Sequence, residues 1–265
     1  MNTLARALIE KTGREHGWEN FLISNEQEVV LASGRHKSVV KISEAASPTS
    51  WNIEISGCLI KKELKRSFPG TMRSDERFLA EGNDHLALLL RRSAELAQSL
   101  PDQAHRDYKD LVKHDLENSG PSETEVKRLI RQRVGHSVFR DALMDYWEGA
   151  CAVTGIALPE ILRASHIKPW ARCDTDEERL DVFNGFLLSA NLDALFDRGL
   201  ITFDETGELI CSQQLSEEHQ SILHLYKGLR LRWISFEHFE YLSWHRENIF
   251  SHSDLPGNVL FSLAL

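Results

Sequence analysis

The sequence predicts an α+β protein, and three observations carry that expectation. Short β-rich runs, "EVVLAS", "SVVKIS" and "WNIEIS", are separated by the turn-forming stretches "GRHK" and "EAASPTS". A longer run, "HLALLLRRSAELAQSL", repeats its apolar residues at helical spacing. After the Gly- and Pro-bearing "NSGPSE" at 118–123, the pattern begins again with a helical stretch, followed by short extended segments. The expected organisation is an N-terminal α+β domain over 1–120 and a second domain over 121–265.

Taken in order, residues 2–16 carry Leu4, Ala5, Leu8 and Ile9 on one helical face, and Gly17 is placed to stop that helix. The three strand candidates follow. "KKELKR" at 61–66 reads as a solvated charge run. A long helix is expected from about Ser74 to Leu100, and a second over 103–117. Beyond the linker candidate, Val126, Leu129 and Ile130 share a face. Phe139, Leu143 and Trp147 share a face on the next helix. "ACAVTG" reads as a short strand or knuckle. "ILRASHIKPW" reads as an extended segment ended by Pro169, and "CDTDEERLDVFNG" as a loop. "NGFLLSANLDALFDRGLITF" reads as strand, turn, short helix and strand.

Composition sets bounds. Hydrophobic residues make up 42% and charged residues 27%, a balance that suits a packed core rather than a disordered chain. No apolar run approaches the ~18 residues of a membrane span, and the charged N-terminus lacks a signal-peptide pattern. Cys58, Cys151, Cys173 and Cys211 form no CxxC pair, so a reducing cytoplasm is expected and a disulfide framework is not. The net charge of -9 argues against a protein that coats nucleic acid without selectivity, yet leaves room for a local basic groove. Lys127, Arg128, Arg131 and Arg133 form one basic cluster, which reads either as a solvated helix face or as a phosphate-contacting edge.

The chemistry concentrates around His166. Asn184 follows 18 residues later, and Asp193 and Asp197 lie four apart, which puts both carboxylates on one helix face. A carboxylate pair can hold a hard divalent cation, and an imidazole that is neutral near pH 7 can take a proton from water. An Asn side chain can orient that imidazole. Lys168 and Arg198 are candidates for backbone phosphate. His245 in "SWHREN" could reach the site, but is read first as packing with Trp244.

"CAVTG", "LRASHIKPW" and "RLDVFNGFLLSANLDALFDRGLITF", in that order, resemble the HNH endonuclease family with its ββα-metal finger. "RVGHSVFRDALMDYWEGAC" upstream and "YLSWHRENIF" downstream resemble the branch found in bacterial restriction and defence, so the likeness covers roughly residues 125–250. It implies His166 as general base and Asn184 as the residue that holds loop and base in place. Asp193 falls where the family's final metal-binding His stands. Asp197 and Ser165 are further candidates for the metal shell, with Asn191 as a minor one. Ser165 departs from the Asp that many members carry before the first His. The missing second cysteine after Cys151 implies no structural zinc, leaving Cys151 as a buried small hydrophobe. The resemblance thus implies a Mg²⁺- or Mn²⁺-dependent nuclease acting on DNA, duplex favoured, with products bearing a 5′ phosphate and a 3′ hydroxyl. A homodimer would allow both strands to be cut. The rival expectations are a metal-free binding or regulatory module and an RNA-cutting toxin.

Overall fold

The computed structural model describes residues 1–47, 49–118 and 124–250. Residues 119–123 of the expected linker lie outside them. The fold is α+β, and the chain divides into two compact units, Met1–Asp107 and Tyr108–Leu265.

The first unit begins with α1 (Thr3–Glu15), N-capped by Asn2, whose side chain accepts from the Ala5 amide at 2.8 Å. A five-stranded antiparallel sheet follows in sequential order: β1 (Asn20–Ser24), β2 (Glu28–Ala32), β3 (Val39–Glu44), β4 (Ser50–Ile55) and β5 (Phe78–Glu81). Between β4 and β5 lies α2 (Cys58–Ser67), and α3 (Gly82–Ser99) follows β5. Leu31, Ile42, Ile53, Leu86 and Leu90 are buried between the sheet and its helices. Trp18 joins them, its indole N–H donating to the Leu90 carbonyl at 2.9 Å, so the largest apolar side chain there leaves no orphaned donor.

Two expectations in this unit change. The long helix from Ser74 is β5 plus α3, because Phe78 and Ala80 alternate inward with the sheet period before the helical period starts at Gly82. The "KKELKR" run is solvated on one side only: Lys62 and Lys65 are exposed, as expected. It is the body of α2, with Ile60 and Leu64 buried and Glu63, 1% exposed, paired with Arg66 at 2.8 Å.

The division falls inside α4 (Pro101–Asn118). In the second unit, α5 (Thr124–Tyr146) is one continuous helix where two were expected. Gly135 does not break it. Val126 and Leu129 are exposed, whereas Val134, Val138, Phe139, Ala142 and Leu143 are buried. "ACAVTG" forms turns rather than a strand. Cys151 is fully buried, as expected, and its sulfur accepts from the amides of Thr154 and Ser189. Then come β6 (Leu162–His166), α6 (Asp176–Leu180), β7 (Gly185–Ser189) and α7 (Ala190–Asp197). The short α6 interrupts the expected loop; Thr175 caps it by accepting from the Glu178 amide. β6 and β7 pair antiparallel with His166 opposite Gly185 and Ser165 opposite Phe186. The hairpin β8 (Ile201–Phe203) and β9 (Leu209–Cys211), then α8 (Glu217–Ile222) and α9 (Phe239–His245), complete the described unit.

β7 is buried along its whole length. Phe186 sits among Trp147, Phe196, Phe203 and His238, with ring centroids 5.4–6.0 Å apart, and this aromatic cluster anchors the ββα segment β6–β7–α7. Among the described residues, no helix is long and apolar enough to cross a membrane.

Candidate active site

Successive side chains on a strand point to opposite faces. On β6 that rule separates Ser165, which meets α7, from His166, which meets α5. The His166 ring stacks on Phe139 with centroids 3.7 Å apart and planes 13° from parallel. Such close approach of α5 requires a bare backbone on β7: a Cβ on Gly185 would lie 2.4 Å from Phe139 Cζ. The glycine opposite His166 is thus what lets Phe139 lie beneath the imidazole.

Nε2 of His166 lies 2.9 Å from the Arg179 carbonyl oxygen. A carbonyl only accepts, so Nε2 carries the hydrogen and the neutral ring keeps its lone pair on Nδ1. Burial lowers the ring from 6.5 to about 4, partly countered by the Arg179 carbonyl and reinforced by neighbouring His136. At neutral pH His166 is a free base with a fixed tautomer.

Asn184 is fully buried, and every hydrogen bond it makes ties down the segment between β6 and β7. Its Oδ1 accepts from the Lys168 amide at 2.7 Å. Its Nδ2 faces the carbonyls of Glu178 at 2.9 Å and Lys168 at 3.2 Å and the Cys173 sulfur at 3.4 Å. By fixing Glu178, Asn184 fixes the adjoining carbonyl of Arg179 and, through it, the imidazole.

Asp193 and Asp197 lie one turn apart on α7, and the Ser165 hydroxyl reaches both. It donates to Asp197 Oδ1 at 3.4 Å, long for a hydroxyl bond, and its presence also favours the ionised form of Asp193. Desolvation raises Asp193. Asp197 keeps an exposed edge, yet desolvation and then the charge of Asp193 push it up to about 6. Two crowded carboxylates with raised pKa values and a hydroxyl between them are hard oxygen donors that a divalent cation would relieve. In that sense the set fits Mg²⁺ or Mn²⁺. Among the described residues, no three His, Cys, Asp or Glu side chains converge on a single ligand position. Asn191 is engaged by Ser189, whose hydroxyl donates to its Oδ1 at 2.7 Å.

Ser165, His166 and Asp197 line one pocket of about 380 Å³, together with His136, Trp170 and His245. Residues 151–204 match the family model of HNH endonucleases. The HNH segment holds His166, Asn184, Asp193 and Asp197 and covers β6, β7 and α7; α5, α9 and the whole first unit lie outside it. No curated protein matches the chain.

The basic candidates do not gather at this pocket. Lys168 Nζ is held by Glu178 at 3.0 Å and Asp174 at 3.5 Å, an ion pair that also braces the loop Asn184 secures. Arg133 pairs with Asp115 at 2.6 Å, and Arg131 is exposed on α5. Arg198 is exposed at the C-terminal end of α7. His245 does not pack on Trp244. It is fully buried, stacks on Phe196 at 4.0 Å, donates from Nε2 to the Phe196 carbonyl at 3.1 Å and accepts at Nδ1 from Thr202. Sequence reasoning missed the Arg179 carbonyl, because a backbone acceptor has no letter of its own. It also passed over His136 and Gly185, and placed Phe139 on a helical face without linking it to His166.

Proposed function

We propose that the protein is a divalent-metal-dependent HNH endonuclease that hydrolyses DNA phosphodiester bonds, with duplex DNA as the favoured substrate. The observation that carries this reading is the fixed tautomer of His166, with Nε2–H committed to the Arg179 carbonyl and Nδ1 left as the basic nitrogen. Nδ1 takes the proton of the attacking water. A scissile phosphate beside the ring brings negative charge, which raises the basicity that burial lowers. Asn184 keeps the base in place. Asp193, Asp197 and Ser165 would hold the cation. A bound divalent ion supplies charge neutralisation for the phosphate and the departing 3′ oxygen. Products then carry a 5′ phosphate and a 3′ hydroxyl. The same reading places the enzyme in the cytoplasm in a restriction or anti-phage role, as a homodimer whose two sites cut both strands, with target choice assigned to residues 1–120.

The test is end analysis of cleaved plasmid and phage DNA made with Mg²⁺, Mn²⁺ or EDTA. Metal-dependent nicks that DNA ligase reseals support the reading, whereas ends carrying a 3′ phosphate contradict it. One observation favours a second reading, a binding module without catalysis: the donor set stops at two carboxylates and a hydroxyl. Tight DNA binding with no cleavage in any metal would select it.

A further inference from the structure

His136 stands outside the HNH match, on α5, yet lines the same pocket as His166 and Asp197. Its imidazole stacks on the Trp170 indole, with centroids 4.6 Å apart and planes 20° from parallel. It meets His166 edge to face at 6.3 Å. Trp170 does the same at 5.8 Å. The stack depends on the residue next to it: a Cβ on Gly135 would lie 2.2 Å from Trp170 Cη2. A glycine inside a helix costs about 1 kcal/mol relative to alanine. Here the bare backbone seats the indole that holds the imidazole.

Two features separate His136 from a core histidine. It is exposed, and among the described residues its ring nitrogens make no hydrogen bond. Buried His245, by contrast, has partners at both nitrogens. His136 also differs from His166. A general base needs its far nitrogen anchored so that the lone pair faces water, and of the two it is His166 that has that anchor. An unanchored neutral imidazole can adopt whichever tautomer turns an N–H toward an anion. Its orientation is already set by stacking, so less freedom is lost when a ligand binds.

We propose that His136 is a second substrate-contacting histidine of the pocket, donating a hydrogen bond to a non-bridging oxygen of the scissile phosphate while Trp170 holds its ring. The inference rests on the nuclease reading and adds a residue to that site.

The experiment compares the full-length wild type with His136→Phe and His136→Gln. Phe keeps the aromatic stack and removes the donor; Gln restores an N–H without the ring. Steady-state cleavage of a duplex and melting temperature are read together. Duplex affinity is read in a His166→Ala background, where cleavage does not interfere. His136→Phe is expected to lower kcat/KM by ~10–100-fold at unchanged melting temperature, in keeping with one lost donor at a reacting phosphate. It should also weaken duplex binding, with His136→Gln recovering part of both. Wild-type KM and kcat in His136→Phe overturn the inference. Equal losses in both variants accompanied by a matching fall in melting temperature overturn it too, since they assign a packing role. A wild type that neither binds nor cuts DNA removes the nuclease reading and this inference together, and that failure is recognised without any variant.

Discussion

His166 donates from Nε2 to the backbone carbonyl of Arg179 at 2.9 Å, although the two residues are 13 apart in sequence. The bond crosses a loop that Asn184 also ties, through the Lys168 amide and the carbonyls of Glu178 and Lys168. One hydrogen bond therefore joins the chemistry of an imidazole to the rigidity of a loop. Replacing His166 with Ala should lower cleavage by ~10²–10⁴-fold while leaving duplex binding close to wild type. Cleavage rates with gel-shift affinities check this, and a parallel loss of binding would count against a role as base.

Asn184 gives a sharper test, because its two ends do different work. Oδ1 accepts from the Lys168 amide, and Nδ2 donates to carbonyls. Asn184→Asp is isosteric but turns a carboxylate oxygen toward the carbonyls of Glu178 and Lys168. It should destabilise the second unit by about 2–4 kcal/mol, no less than Asn184→Ala does. Denaturant unfolding of both variants decides the order. A near-neutral Asp variant would mean that Asn184 does not hold the loop.

Asp197 should respond oppositely with and without metal. Its raised pKa means that the ionised carboxylate is disfavoured beside Asp193 in the metal-free fold. Asp197→Asn should therefore raise the metal-free melting temperature slightly and weaken Mn²⁺ binding measured by calorimetry. A variant that loses stability and keeps its affinity would remove Asp197 from the proposed shell.

The largest acid responses come from four groups. His166 and His245 fall from 6.5 to about 4. Between those values the unfolded chain binds protons that the folded chain refuses, so stability is lost as pH falls from 6.5 toward 4. Asp181 and Asp197 rise from 3.8 to about 6, so over 6 to 3.8 the folded chain binds protons more readily and gains stability. The two effects offset each other over most of that range. His245→Gln removes one of the acid-sensitive terms without touching the carboxylates. Its stability relative to pH 7 should fall less than that of the wild type between pH 6.5 and 4. Identical pH slopes would show that His245 is not held neutral.

Much of this was legible in the sequence, for physical reasons that also mark where it stopped. β2, β3 and β4 announce themselves as short runs rich in β-branched residues, set apart by turn-forming stretches. β1 does not, because all five of its residues are exposed. α2 hides two buried apolar residues, Ile60 and Leu64, inside a run of lysines and arginines. α5 continues through a glycine that sequence rules treat as a weak point, since the glycine is needed by Trp170 rather than by the helix. At the site, side-chain chemistry at His166, Asn184 and the aspartates can be read from letters and spacing. The Arg179 carbonyl cannot, because a backbone acceptor has no letter, and the closeness of His136 cannot, because it arises only when α5 packs against β6.

That packing makes a prediction against helix propensity. Gly135→Ala would stabilise an isolated helix by about 1 kcal/mol. Here the added methyl would collide with the Trp170 indole, and the net effect should be a loss of ~1–3 kcal/mol, the usual cost of overpacking. Thermal unfolding of the variant, with tryptophan fluorescence to follow Trp170, settles the sign.

The most direct test of the central claim is the rate at which supercoiled DNA is cut in Mn²⁺ by the wild type and by His166→Ala, measured side by side with EDTA controls. A single-site mechanism with His166 as base predicts metal-dependent cutting by the wild type and a loss of at least about 100-fold in the variant. Cutting that survives unchanged in His166→Ala would contradict it.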